Sequence, residues 1–424
     1  MQAFPRMVRF LSFCGATALL PAQKPDSQEL PPPANYTAHE WGTFTSMVGT
    51  NGIVLDGLHH EEESLPTFVH DLLKTQVFGA IRTKLPASRV TQKMETPIIY
   101  FYADEPLRVQ VRVWFARGLM TQFFPLPKTV YPELADARKQ RLDMSKVDGS
   151  ELTWDIDVLP KGSSAPTEIP KVADDDPWAY ARQTEACWVR TRPEAGSPAR
   201  PEAEHYLFYR GLGRWQPKVT LHSEPNGKAI FGNAMEQVVP YCLALELGEH
   251  GGRFVAGAAV APDAQETLNL ASSPWIADRE QFSRQVGANV LQALVKQGLF
   301  VDEARAMVAT WSRSWFQKDG ARIVYLLPRA QVDAVLPLSF EPRPKDVVRV
   351  LVGRLEFITP EAQQRVEQAL RSQQSLDPEV AQRAVQVFAG LDRFLEPHLR
   401  NVAANGSSDA IRRAAATMLA TSPQ

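Results

Sequence analysis

The fold class follows from the stretch Val109-Gln110-Val111-Arg112-Val113-Trp114-Phe115, in which apolar side chains occupy every second position. A β-strand points successive side chains to opposite faces, so the odd-numbered residues of this stretch share one apolar face. A second stretch repeats the pattern with Leu152, Trp154, Ile156 and Val158. Both stretches therefore predict strands that bury one face.

Strand signals continue on both sides of these two stretches. The further candidates are Ile98–Tyr102, Trp188–Thr191, Tyr206–Tyr209, Lys218–His222 and Val238–Leu247. Their connections are polar and rich in Pro and Gly, as in surface loops. Strands that follow one another without long helical patterns favour antiparallel sheets. The sequence therefore predicts an antiparallel β-sandwich-like domain over residues 38–265.

The hydrophobic period changes to that of a helix near residue 280. A first helix is predicted with Val286, Val290, Leu291 and Leu294 on one side. Asp302 is predicted to cap a second helix. Thr359-Pro360 and Asp377-Pro378 are typical helix starts, and Pro397 is a predicted stop. Residues 276–424 are thus predicted to form a mixed α/β region that ends in helices. The whole chain should be mainly β with α.

The N-terminus has the features of an export signal over residues 1–23. Arg6 and Arg9 precede an apolar stretch, Phe10–Leu20, and residues suited to a signal peptidase follow it. Residues 24–37 are rich in proline and predict an extended linker. The expected location is periplasmic or secreted. The alternative is a cytosolic protein with a disordered N-terminus.

Composition limits the partners and the cysteine chemistry. Lys and Arg number 46 against 48 Asp and Glu, so no overall field attracts nucleic acid. The leader is too short, and no later apolar run is long enough, to predict a membrane span. Cys187 and Cys242 remain once the leader is removed. Export would let them form a disulfide, but two separate buried thiols fit the sequence equally well.

The densest chemistry lies in the run His39-Glu40-Trp41-Gly42-Thr43-Phe44-Thr45-Ser46. On a strand, His39 and Glu40 point to opposite faces, and they lack the spacing of an HExxH zinc site. One interpretation makes either residue a general base or a ligand whose partners lie elsewhere in the chain. The favoured alternative is an opening strand that Trp41 anchors in the core.

Three further residues complete the set of candidate catalytic side chains. Glu95 precedes an apolar strand, and Tyr209 and Arg210 flank another. If they converge with His39 and Glu40, they could supply an acid–base pair and an arginine that holds an anionic substrate. The alternative is a structural Arg–Glu pair between two strands.

Possible metal ligands lie in the run His59-His60-Glu61-Glu62-Glu63. Imidazole and carboxylate groups bind zinc and other divalent ions. Consecutive residues give poor ligand geometry, however, and charge runs usually lie in water, which favours a solvated acidic loop. The sequence identifies no metal or other cofactor.

The chain resembles a family of exported bacterial proteins in four motifs: HEWGTFTS at 39–46, METP at 94–97, LFYRG at 207–211 and VGRLE at 352–356. The likeness spans most of the mature chain. That family has no established activity. The resemblance therefore implies export and a shared fold, and it assigns no catalytic residue.

The motifs favour binding over catalysis. None completes a nucleophile elbow, a phosphate loop or a zinc site. The sequence therefore favours an exported envelope or ligand-binding protein, with a glycan or another cell-envelope component as its ligand. The alternative is an extracytoplasmic hydrolase or lyase that acts on polysaccharide. A cleft between the sheet and the predicted second helix, which contains Trp311, would be the place to look for a binding site or an active site.

Overall fold

The computed structural model describes residues 32–61, 64–73, 87–132, 142–197, 199–224, 227–373 and 375–421. The chain forms two compact units, residues 1–32 and 33–424, and every element named below belongs to the second. The predicted export signal lies outside the described residues. The first strand begins at Ala34, inside the predicted linker.

A nine-stranded sheet is the centre of the fold. Its spatial order is β16 (Gly251–Ala256), β15 (Cys242–Gly248), β18 (Gly320–Leu326), β20 (Pro344–Phe357), β1 (Ala34–Val48), β4 (Gln92–Tyr102), β12 (Leu207–Gly213), β6 (Gly118–Phe124) and β2 (His70–Asp71). The β1–β20 pair is parallel, and the other pairs are antiparallel. Since β1 and β20 are far apart in sequence, one sheet unites the predicted 38–265 and 276–424 regions.

Two smaller sheets pack on the inner face of the large one, and the described residues form one further pair of short strands. One contains β11 (Ala203–Glu204), β10 (Val189–Thr191), β9 (Gly149–Val158), β5 (Leu107–Ala116), β19 (Leu338–Glu341) and β7 (Thr129–Tyr131). Another contains β13 (Val219–Glu224), β14 (Lys228–Asn233) and β17 (Gln265–Asn269), and a short pair is β3 (Ala87–Ser88) with β8 (Leu142–Asp143). The main core combines inward apolar residues from the large sheet and from β5, β9 and β14. The predicted β-sandwich-like fold, mainly β with α, is confirmed.

Among the described residues, three helices cover the outer face, four form the C-terminal end, and the short helix Arg329–Val335 packs into the main core. They are α1 (Pro177–Ala181), α2 (Arg279–Lys296), α3 (Val301–Phe316), α4 (Arg329–Val335), α5 (Pro360–Ser372), α6 (Pro378–Leu391), α7 (Leu395–Asn405) and α8 (Asp409–Thr421). Apolar residues of α1–α3 pack on the outer face of the sheet, and α5–α8 share a separate core. None of the helices in the described ranges is long and apolar enough to cross a membrane.

Of the four helix boundaries predicted above, two are confirmed and two are wrong. Thr359 and Asp377 cap α5 and α6, as predicted. Asp302 is not the cap of α3: the cap is Phe300, two residues earlier, and its backbone N–H donates to Glu303 at 2.7 Å. Pro397 does not stop α6, which ends at Leu391; it lies in the first turn of α7, where a missing N–H removes no helical hydrogen bond.

The two described cysteines are separate free thiols. Cys187 donates to the carbonyl of Ala103 at 3.4 Å, and Cys242 donates to that of Ala258 at 3.5 Å. Burial raises the pKa of both thiols, and that of Cys242 reaches about 12. Of the two alternatives left open by the sequence, the structure has the buried thiols.

A β-bulge interrupts the centre of the large sheet. Trp41 pairs with Ile98 and Thr43 pairs with Glu95, so Thr96 and Pro97 together oppose Gly42. Thr96 has a positive φ of 51°, as one extra residue in a ladder often requires. The bulge reverses which residues of β4 face the inner core, and it places Glu95 and Thr96 side by side on one pocket.

We expect Gly42→Ala to lower the free energy of unfolding by about 1–3 kcal/mol. A Cβ at Gly42 would lie 2.8 Å from the Cα of Pro97, so the backbone of the bulge must shift. Gly248→Ala is the matched control, because a Cβ there meets no atom within 4 Å. Urea unfolding of both variants checks the prediction, and equal stability of the two would contradict it.

Candidate functional site

A pocket lies between the outer face of the large sheet and helices α1 and α3. The empty space in the pocket and in front of its mouth, open solvent included, is about 560 Å³. Aromatic side chains form one part of its lining: Trp178, Tyr206, Phe208 and Trp311. Polar side chains form another: Glu95, Thr96, Asp176 and Arg210. Apolar walls with few polar groups are typical of small-molecule sites.

The aromatic part is held rigidly. The ring centroid of Trp178 lies 4.9 Å from that of Phe208 and 5.4 Å from that of Tyr206. The Trp178 indole donates to Glu204 at 2.8 Å. Arg182 holds both oxygens of that buried carboxylate, at 2.9 and 2.6 Å. The orientation of Trp178 therefore depends on an ion pair behind the pocket wall.

Two lining residues each have a buried N–H group with no hydrogen-bond partner among the described residues. Arg210 donates to Glu61 at 2.8 Å and to Thr96 at 3.4 Å, but its Nε–H has no acceptor among the described residues. The indole N–H of Trp311 likewise has none within the described ranges. A buried donor without an acceptor costs about 1–3 kcal/mol, so an acceptor that reached either group would be favoured.

Glu95 is engaged within the protein. The Thr45 hydroxyl donates to one of its oxygens at 2.5 Å, and Arg393 donates to the other at 2.6 Å. The carboxylate is 1% exposed. Because Arg393 precedes α7, this ion pair fastens the C-terminal helices to the sheet.

His39 belongs to a different cluster. Its Nδ1 lies 2.8 Å from Glu303, a carboxylate that also accepts from the Tyr102 hydroxyl at 2.8 Å. The His39 ring packs on Phe300, with centroids 4.5 Å apart. Both His39 and Glu303 are buried, so this cluster joins β1 to the start of α3.

Glu40 faces the inner core, opposite to His39. Arg349 donates to it at 2.6 Å, and the Tyr209 hydroxyl donates to its other oxygen. Arg349 also binds Asp333 at 2.7 Å. Burial raises the pKa of Tyr209, and Glu40 raises it further. Burial acts to lower the pKa of Arg349, but Glu40, Tyr209 and Asp333 together outweigh it and the pKa is raised.

The structure does not bring the five candidate catalytic residues together. Glu95 and Arg210 line the pocket, whereas Glu40 and Tyr209 meet in the inner core and His39 meets Glu303. His39 pairs with Tyr100 and Glu95 pairs with Thr43, four residues further along β1. That spacing separates the backbones of His39 and Glu95 by roughly 13 Å along the strand, beyond hydrogen-bond reach.

Several residues of these clusters were missed by the sequence interpretation. Glu303 and Arg349 act as partners of His39 and Glu40 from more than 260 positions away along the chain, and Asp333 in turn binds Arg349. Trp178 lies on α1, just after a predicted surface connection. A signal for α1 was present, because Asp176-Pro177 is the same start dipeptide as Asp377-Pro378.

Stability should fall as the pH drops from about 6.5 to about 4. Burial lowers the pKa of His205 and His398 to about 4. Below about pH 6.5, the pKa of a histidine in the unfolded chain, these two side chains bind protons in the unfolded state but stay neutral in the folded state. Lower pH therefore stabilises the unfolded state. Each histidine contributes a slope of up to about 1.4 kcal/mol per pH unit.

Urea unfolding at several pH values measures this slope. His398→Gln should reduce it by the share of one histidine, whereas His250→Gln, at an exposed position, should leave it unchanged. A slope that does not depend on His398 would contradict the assignment.

No protein-family model and no curated protein matches the chain. Among solved structures, it is similar to the yeast delta-COP-I mu-homology domain complexed with the Dsl1 WxWxV peptide, with 6% sequence identity. That match covers 78% of this chain and 98% of the other, with a TM-score of 0.24. A likeness at this TM-score carries no argument about fold or function.

Proposed function

We propose that the protein is an exported ligand-binding protein of the cell envelope and that the pocket beside α3 takes a saccharide. The observation that carries this proposal is the pair of buried N–H donors, on Arg210 and Trp311, in a pocket lined with aromatic rings. The expected export signal supports the location.

The chemistry of a saccharide matches both parts of the lining. Sugar rings have apolar C–H faces that pack on aromatic rings, which Trp178 and Trp311 offer. Hydroxyl and carboxylate oxygens accept hydrogen bonds, which the Arg210 guanidinium and the Trp311 indole donate. Binding therefore satisfies donors that the free protein leaves buried.

The pocket fits binding better than hydrolysis. A glycosidase needs two carboxyl groups, one on each side of the bond that breaks. Glu95 already accepts from Thr45 and Arg393, and one oxygen of Asp176 accepts from the backbone of Trp178. Both carboxyl groups are thus occupied in holding the fold.

We expect a glycan array with bacterial envelope saccharides to give a hit, and Arg210→Lys to weaken it by about 10-fold or more. Lysine keeps a cation for Glu61 but lacks the guanidinium Nε–H. Affinities are measured by isothermal titration calorimetry on the full chain. His250→Gln is the control, since His250 is exposed and does not line the pocket. The proposal would be contradicted if the protein bound no envelope saccharide, or if Arg210→Lys and the control bound it with equal affinity. Cleavage of the bound saccharide would favour a hydrolase.

A further inference from the structure

Two histidines and a glutamate from distant parts of the chain converge outside the pocket lining. Glu396 Oε2 lies 3.9 Å from His59 Nδ1 and 3.9 Å from His60 Nε2. All three atoms lie within 4.8 Å of one another. Glu396 lies in the first turn of α7, some 340 positions after the histidines.

A turn in the backbone places the rings of His59 and His60 next to each other. On a strand their rings would point to opposite faces, which is why the sequence favoured a solvated loop. Residues 58–60 form a turn and bend, and the two ring centroids lie only 4.1 Å apart. The objection to consecutive ligands therefore does not apply here.

The carboxylate is oriented toward the histidines by its neighbours. Arg400 binds Glu396 Oε1 twice, at 2.9 and 2.7 Å, and leaves Oε2 for the imidazoles. Gly57 allows the close approach, because a Cβ there would lie 2.9 Å from the carboxyl carbon. Such outer contacts fix the ligands of many metal sites.

The turn itself is also fastened. The Lys93 ammonium group donates to the His60 carbonyl at 2.6 Å and pairs with Glu61 at 2.8 Å. His59 Nδ1 is buried and has no hydrogen-bond partner among the described residues. This nitrogen faces the Glu396 carboxylate oxygen at 3.9 Å, which is too long for a direct hydrogen bond.

We propose that His59, His60 and Glu396 bind one zinc ion. Zinc takes imidazole and carboxylate ligands at about 2.0–2.2 Å, which places tetrahedral ligand atoms about 3.4 Å apart. Side-chain rotations must bring the two 3.9 Å separations to that value, and also the separation of the two ring nitrogens, which is at most 4.8 Å. Two nitrogen ligands select zinc over calcium or magnesium, which prefer oxygen. Three protein ligands leave a fourth position for water or for a ligand.

The test is a zinc titration of the metal-free full chain against a chromophoric zinc chelator. We expect one zinc per chain. His60→Ala and Glu396→Gln should each weaken binding by about 100-fold or more, because even outer-shell losses cost about 10–100-fold. His250→Ala, which removes an exposed histidine elsewhere, should have no effect. Circular dichroism verifies that each variant is folded.

Absence of stoichiometric zinc binding would overturn the proposal, as would unchanged affinity in His60→Ala. If neither variant folds, cobalt(II) in the native chain decides the question. Visible absorption typical of tetrahedral nitrogen and oxygen ligation supports the site, and its absence overturns it. These readouts do not depend on saccharide binding, so the two proposals can fail separately.

Discussion

Arg349→Met should lower the free energy of unfolding by about 3–5 kcal/mol. The side chains of Arg349 and Glu40 are 1% and 0% exposed, and their ion pair lies in the inner core. Removal of the guanidinium leaves a carboxylate in that core with the Tyr209 hydroxyl as its remaining partner. A buried charge without its counterion is among the most destabilising changes a core can receive.

Arg329→Met is the matched control. Arg329 also pairs with Asp333, at 2.8 Å, but its side chain is 48% exposed. Exposed ion pairs contribute about 0–1 kcal/mol, so this variant should be nearly neutral. A double variant, Glu40→Leu with Arg349→Met, should regain part of the loss because it removes both buried charges. Urea unfolding of the three proteins gives these values, and a loss under about 1 kcal/mol in Arg349→Met would contradict the account.

Arg182→Leu should cost a similar 3–5 kcal/mol or so and should also weaken saccharide binding. Glu204 is fully buried, and Arg182 supplies its two charged hydrogen bonds. The same carboxylate accepts from the Trp178 indole. Once Arg182 is lost, Glu204 must find new partners or water, and Trp178 loses the contact that orients it in the pocket wall.

Arg190→Leu separates this effect from the general loss of an ion pair. Arg190 pairs with Glu168 at 2.7 Å, but its side chain is 44% exposed. We expect little change in stability and none in saccharide affinity. Unfolding and titration calorimetry on both variants test the prediction. A stable Arg182→Leu protein with native affinity would show that Glu204 does not depend on its arginine.

The sequence predicts those parts of the fold that carry local patterns. Alternation identifies β5 and β9 because each has one face in the core, and the Thr359 and Asp377 caps mark α5 and α6. By contrast, β6 was not predicted, because it is buried on both faces and its sequence, GLMTQFF, does not alternate between apolar and polar residues. Pairing of β1 with β20 joins residues about 300 positions apart, and no local pattern encodes it.

The sequence predicts only those features of the candidate site that depend on a local pattern. Alternation correctly separates His39 from Glu40. It cannot show that a bulge at Thr96 turns Glu95 and Thr96 toward one pocket. It also cannot show that Glu303 and Arg349 reach His39 and Glu40, because those contacts depend on the tertiary fold.

The central claim is that the pocket beside α3 is the ligand site. The most direct measurement follows the indole N–H resonance of Trp311 by NMR, assigned with Trp311→Phe, during titration with the saccharide from the array. We expect that resonance to shift as its N–H gains an acceptor. The indole of Trp154, which already donates to the Pro125 carbonyl at 2.8 Å in the inner core, should stay unchanged. A bound saccharide that leaves the Trp311 resonance in place would contradict the account.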